Sequence, residues 1–200
     1  MLHSACPEIP GHTLHVIQRS RLHAECFFSS DDRAAYLGWL GDYARHTGCA
    51  VHAYVLMGNH VHLLLTPSRQ GGVVSLMRLL GTRYARHVAE TWQREGPLWE
   101  DGFSATPVHI HRYVLACMRY IELNPVRARM ARNPEQFRWS SHRCNALGEE
   151  NALLTPHAAY SVLGRGAAAR QAAYREFCNS LRPGGARRRV GFQGDSGFKG

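Results

Sequence analysis

The 200-residue sequence has no CxxC pair, no internal repeat and too few acidic side chains to balance its basic ones. It also has no apolar run near the ~18 residues that cross a bilayer. Each absence excludes something. The six cysteines, at positions 6, 26, 49, 117, 144 and 178, are scattered. They read as small hydrophobes in a reducing compartment, which argues against a cysteine-based zinc centre. Met1 to Pro10 contains Glu8, two prolines and no continuous apolar stretch, so neither a signal peptide nor a membrane span is expected. The expected location is the cytoplasm. Lys and Arg total 24 against 15 Asp and Glu, a formal charge of +9, which favours polyanionic partners and nucleic acid first. With 44% hydrophobic residues the chain can build a core, and wholesale disorder is not expected.

The patterning predicts an α+β chain. Gly11 to Gln18 alternates and carries β-branched residues, as a strand does. Ser29 to Asp32 offers N-cap side chains, and Tyr36, Leu37, Leu40, Tyr43 and Ala44 then follow at helical spacing up to Gly48. Ala50 to Met57 and His60 to Thr66 read as two strands joined at Gly58-Asn59, an antiparallel hairpin. The aliphatic end of the latter suggests a central position. After Gly71-Gly72, Val73, Leu76, Met77, Leu80, Tyr84 and Val88 form the apolar stripe of a second helix, with Arg78, Arg83 and Arg86 mostly opposite. Phe103 to Val108 is a candidate edge strand because of Pro107. A third helix is expected from about His111 to Leu123, ended or kinked at Asn124-Pro125. Strand, helix, strand, strand, helix, strand, helix fits a ferredoxin-like sandwich, with a central antiparallel sheet and one additional helix. Residues 1–148 form the expected domain, 149–183 a small helical extension, and 184–200 a Gly- and Arg-rich tail expected to be disordered.

Two constellations carry chemistry. His60-Val61-His62 lies on a strand, where residues i and i+2 share a face, so the two imidazoles project together as a divalent-metal clamp. Most His-x-His pairs are ordinary surface or core histidines, and His109-Ile110-His111 beside a helix start belongs with those. On the third helix, Val114, Leu115, Met118 and Ile121 define a buried stripe, and Tyr120 and Asn124 sit one turn apart at its flank. A tyrosine there either caps the core or faces a cleft. A phenol titrates near 10, so it attacks well only when a metal or base assists.

Met57-Gly58-Asn59-His60-Val61-His62-Leu63-Leu64 resembles the HUH signature of single-tyrosine transposases, two histidines around a hydrophobic residue. Leu98 to Phe103, Arg119 to Ala128 and Arg138-Trp139-Ser140-Ser141 resemble three further segments of that family, in its order, across roughly residues 10 to 148. The branch they most resemble is the REP-associated tyrosine transposases. Where relatives carry a Gly-Asn-Asn-Arg-like turn after the first strand, this chain has Arg19-Ser20-Arg21-Leu22-His23.

The resemblance implies roles. Tyr120 would be the nucleophile, forming a 5′-phosphotyrosine. The additional helix would be its carrier. His60, His62 and Asn124 would hold Mg²⁺ or Mn²⁺. The substrate would be single-stranded DNA beside a hairpin, and the protein a bacterial, nucleoid-associated monomer or homodimer. Arg19, Arg21, Arg119 and Arg127 would hold the DNA backbone, and Trp99 or Phe103 would stack an unpaired base, packing being the alternative for each. Arg187, Arg188 and Arg189 would extend the backbone contacts. Three rival readings remain: an inactive hairpin-binding regulator, a metal nuclease that uses water, and an interaction protein with no DNA chemistry.

Overall fold

A computed structural model describes residues 8–180. Four strands, β1 (Leu14–Arg19), β2 (Cys49–Leu56), β3 (His60–Pro67) and β4 (Ser104–Pro107), form one antiparallel sheet in the order β2-β3-β1-β4. Helices α1 (Ser30–Thr47) and α2 (Gly72–Trp92) intervene between strands, which completes the ferredoxin-like alternation. The aliphatic β3 is central, between β2 and β1, as its sequence suggests. Pro107 sits on the edge strand, where its missing N–H interrupts no inner ladder. The first strand begins three residues later than its alternation suggests. Gly11 is in the left-handed region at φ +79° and His12 N–H bonds back to Ile9, so the chain is still turning there.

One face of the sheet packs on α1 and α2. Ser29 and Asp32 form a reciprocal capping box that starts α1, and Gly48 in the left-handed region ends it. The start of α2 is satisfied from a distance: both Glu8 carboxylate oxygens accept backbone N–H groups, from Val73 at 2.9 Å and Val74 at 2.7 Å. Leu14, Val16, Leu63 and Leu65 meet Tyr36, Leu40, Leu76, Leu80 and Tyr84 in this core.

The other face carries α3 (His111–Glu122), followed by α4 (Asn124–Arg127), α5 (His142–Leu147), α6 (Ala158–Ser161) and α7 (Ala167–Asn179). Ala53, Val55, Met57 and Leu64 pack there against Val114, Met118, Ile121, Tyr160 and Tyr174. Leu115, expected in the buried stripe, is only partly covered. Pro125 has no N–H to continue the α3 ladder, so the helix breaks at Leu123 and restarts as α4. Arg138-Trp139-Ser140-Ser141 closes the outer edge of β2: Leu56 N–H bonds Trp139 O at 2.9 Å and Ser141 N–H bonds Tyr54 O at 3.0 Å. Residues 184–200, including the three consecutive arginines, lie outside the described residues. Among the described residues no helix is long and apolar enough to cross a membrane.

Candidate active site

The chemistry-bearing residues meet on the α3 face of the sheet. Antiparallel register sets His15, Ile17 and Arg19 of β1 opposite Leu64, His62 and His60 of β3, so all six share that face. The His60 and His62 rings are 4.9 Å apart and nearly perpendicular, at 79°. From α3, Tyr120 brings its ring edge-on to His62 at 5.8 Å and to His15 at 5.9 Å. One turn on, Asn124 Nδ2 lies 3.3 Å from His62 Nε2. Tyr120 is 42% exposed and open to a large substrate, whereas His62 beneath it is only 2% exposed. The guanidinium of Arg127 stands 4.7 Å from the Tyr120 ring centre.

Hydrogen bonding orients the two candidate ligand rings. His60 Nδ1 is 2.6 Å from Asn59 Oδ1, an acceptor, so the proton is on Nδ1 and Nε2 is bare. Asn59 is itself held through Nδ2 to the His23 carbonyl at 3.1 Å. His62 Nδ1 is 2.9 Å from His15 Nε2. Burial pushes His15 down to about 4 and His60 to about 4, the latter assisted by Arg19 and His23. Burial, then the neighbouring His15, His60 and Arg19, brings His62 to about 3. At neutral pH all three are therefore uncharged, the form in which imidazole ligates a metal. Two neutral imidazoles and an amide that can turn its oxygen inward are a donor set that fits a divalent cation.

The other candidate residues divide. Arg19 and Arg127 flank this face, and Arg21 is exposed just beyond β1. Arg19 also lines a cleft of about 250 Å³ with Glu100, Asp101 and Phe103. The structure does not bring the remaining three to the Tyr120 hydroxyl. Arg119 is spent on α7, with its guanidinium 4.4 Å from the Phe177 ring centre and donating to the Phe177 carbonyl. Trp99 packs on the α1–α2 core and donates to Gly81 O at 3.2 Å, and Phe103 is 7% exposed. His109 is exposed and its ring meets His12, away from β3; the side chain of His111 lies outside the described residues. His15 is the site residue that sequence reasoning missed.

Among the described residues one buried trio brings three ligand atoms within 4.8 Å of one another: Glu122, His142 and Cys178, a set that a divalent ion can take on distance. Its carboxylate is already engaged. Oε1 accepts from Ser141 Oγ and Asn145 Nδ2, and Oε2 accepts from Tyr174 Oη and His142 Nδ1. Glu122 thus ties the tyrosine helix to α5 and α7 from the side opposite Tyr120. Replacing it with alanine removes the acceptor of four donors in a fully buried pocket and leaves Tyr174 Oη and His142 Nδ1 without it, while Ser141 Oγ and Asn145 Nδ2 keep the Tyr54 and His52 carbonyls. The expected loss is about 3–5 kcal/mol of unfolding free energy, read from urea melts. A loss under ~1 kcal/mol would mean the cluster is not held by the carboxylate.

The histidines also set an acid limit. His15, His52, His60 and His62 are all depressed by burial from 6.5. The unfolded chain takes up protons as pH falls through about 6.5, whereas in the folded chain His15 and His60 stay neutral down to about 4, His62 to about 3, and His52 to below its ordinary value. Stability is therefore complete well above 6.5 and declines as pH falls through that value toward 4. Melting temperatures in EDTA at pH 8.5, 7.5, 5.5 and 4.5 should be nearly flat between the first two and fall across the rest. A flat profile throughout would contradict neutral burial of these rings.

A family model described as "Transposase IS200 like" matches residues 9–124, a stretch that contains His15, His60, His62, Tyr120 and Asn124. No curated protein is a significant match. Among solved structures, a REP-associated tyrosine transposase bound to a REP hairpin is similar over 84% of this chain and 96% of its own, with a TM-score of 0.62 and 17% identity. At that identity the two share the fold. A putative transposase from Deinococcus radiodurans R1 matches at 20% identity over 52% of this chain and 84% of its own, TM-score 0.41. A tRNA(His) guanylyltransferase from Saccharomyces cerevisiae matches at 9% identity over 85% and 79%, TM-score 0.45.

Proposed function

This chain belongs to the IS200-like transposase family, and we propose that it is a single-stranded DNA endonuclease and strand transferase whose nucleophile is Tyr120. The observation that carries the reading is the meeting of three elements at one point: Tyr120 from α3, 5.8 Å ring to ring from His62, with Asn124 3.3 Å from the same imidazole. In the reaction Tyr120 Oη forms a bond to phosphorus as the bond to the 3′ oxygen breaks. The phenolic proton leaves and the departing 3′ oxygen takes one up, giving a 3′-hydroxyl and a 5′-phosphotyrosine. Because the phosphodiester energy is kept in the tyrosyl bond, attack by another 3′-hydroxyl rejoins the strand without a nucleotide cofactor.

His60, His62 and Asn124 would hold the divalent cation. Bound there, Mg²⁺ or Mn²⁺ supplies Lewis-acid polarisation of the scissile phosphate and stabilises the leaving oxygen. The protein contributes orientation: α3 is anchored by Val114, Met118 and Ile121, so the exposed phenol is presented from a fixed helix. Arg127 beside the phenol and Arg19 beside His60 would bind the flanking phosphates. A hairpin-adjacent single strand is the substrate class we favour, since the structure with a shared fold was solved bound to a REP hairpin. The cytoplasm, at the nucleoid, is the location this substrate demands.

Incubation with labelled single-stranded hairpin DNA and Mn²⁺, followed by denaturing gel electrophoresis, tests the reading. A labelled protein band is expected. Cleaved DNA without that band would indicate a water-using nuclease, and binding without cleavage a hairpin-binding regulator.

A further inference from the structure

We propose that His15 is a positioning residue for the metal ligand His62, fixing which ring nitrogen carries the proton and so which one is offered to the cation. The inference rests on the reading of His60 and His62 as metal ligands and goes beyond it, because that reading gives His15 no role.

His62 Nδ1 and His15 Nε2 are 2.9 Å apart, and two imidazole nitrogens approach that closely only with one proton between them. The other nitrogen of His62 decides the donor. In the metal-free arrangement the Asn124 amide turns its nitrogen, a donor, to within 3.3 Å of Nε2, and with the amide in that orientation Nε2 is the accepting, unprotonated nitrogen. A neutral imidazole carries one N–H, so in His62 it sits on Nδ1 and is donated to His15. The two rings are 17° from parallel with centres 5.1 Å apart, which keeps the N–H and the accepting lone pair near a common plane. Neutral histidine in water favours the opposite tautomer, with the proton on Nε2. Left to itself His62 would turn a proton, not a lone pair, toward Asn124 and the cleft.

The arrangement repeats at the neighbouring ligand. His60 Nδ1 is tied to Asn59 Oδ1 at 2.6 Å, so its Nε2 is bare as well. The two candidate ligands are thus oriented by different acceptors, an amide from the hairpin turn and an imidazole from β1. Ligating histidines characteristically donate their second nitrogen to such an acceptor, and removing the acceptor weakens metal affinity about 10–100-fold. His15 reaches the position by register. Ile17 is directly opposite His62, which makes His15 the diagonal neighbour, within reach of a ring on the same face.

Two measurements test this. In ¹⁵N-labelled, metal-free full-length protein at pH 7.5, long-range ¹H–¹⁵N imidazole spectra should show His62 protonated on Nδ1. In His15→Phe, which keeps a ring against His62 and Tyr120 but has no acceptor, the proton should move to Nε2. Mn²⁺ affinity, read from the EPR signal of the free ion, should fall about 10–100-fold in His15→Phe and recover most of that loss in His15→Gln, whose amide oxygen accepts. A wild-type His62 protonated on Nε2 overturns the proposal, and that spectrum needs no variant to fold. So does a His15→Phe protein that binds Mn²⁺ as tightly as wild type. If Mn²⁺ binding is indifferent to His60→Ala, the assignment of the metal site itself fails, and the wild-type spectrum still decides the tautomer.

Discussion

Tyr120→Phe is expected to abolish the covalent protein–DNA adduct and strand cleavage while leaving folding and DNA binding intact. The substitution removes one hydroxyl and keeps the ring. The edge contacts to His62 and His15 and the stacking under Arg127 are made by that ring, so they survive. At 42% exposure the hydroxyl is not needed to fill the core, and the stability change should stay within about 0.5 kcal/mol. The catalytic loss has no such cushion, because without Oη there is no atom to bond phosphorus. Deleting a covalent nucleophile lowers turnover by on the order of 10⁴-fold or more. Quantitative gel assay of the adduct beside a binding titration separates the two effects. Residual cleavage at near wild-type rate, with an adduct still present, would move the nucleophile to another residue. Tyr113 is the alternative on the same helix; it is 51% exposed and held by Arg112 at 3.2 Å.

Much of this site is legible before any coordinates, because its parts obey local periodicities. His60 and His62 share a face by the two-residue period of a strand, and Tyr120 and Asn124 share a flank by the helical turn; in the fold both pairs converge. What local periodicity cannot carry is register. His15 is 47 positions from His62 in sequence, and the alternation of Gly11 to Gln18 says only that His15, Ile17 and Arg19 face one way. That they face the same way as His60 and His62 follows from the β1–β3 pairing, which no spacing encodes. His52 illustrates the same limit. It lies at the irregularity between Val51 and Ala53 in β2, where simple alternation fails, and bonds Thr66 and the Thr155 carbonyl.

Long-range packing explains where Arg119, Trp99 and Phe103 lie. A helical wheel puts Arg119 beside Tyr120 on an open flank, but α7 folds back over it, and the weak periodicity of that segment gave no sign of a partner. For Trp99 and Phe103 the resemblance implies base stacking, with packing as the alternative. Trp99 is drawn inward by Tyr36 and Tyr84, and Phe103 belongs to the same core. Glu122 is the inverse case. A charged residue beside a catalytic tyrosine invites a catalytic role, yet it points away from Tyr120 and joins α3 to α5 and α7. That division makes one helix serve two purposes: its exposed side presents Tyr120, the proposed nucleophile, and its buried side is locked by four hydrogen bonds to a single carboxylate.

Removing the paired imidazoles should be nearly as damaging as removing the nucleophile, and differently so. His60→Ala is the cleaner variant, since His60 is partly exposed and its loss removes the bond to Asn59 and one edge contact to His62. His62→Ala opens a hole at a position only 2% exposed and strands His15, so its folding must be verified by circular dichroism before activity is read. For either variant, cleavage in the presence of about 1 mM Mn²⁺ should fall on the order of 10³-fold, equivalent to about 4 kcal/mol of transition-state stabilisation. The two sites respond differently to metal. Raising Mn²⁺ should partly restore His60→Ala, because a weakened site can be driven by mass action, but should do nothing for Tyr120→Phe, which lacks a reacting atom. His109→Ala is the control: the ring is exposed, touches His12 and lies off the catalytic face, so activity should stay within a factor of two. Equal losses from His60→Ala and His109→Ala would show that position on β3 is not what matters. Rescue of Tyr120→Phe by metal would remove the tyrosine from the chemistry and leave a metal-activated water as the nucleophile.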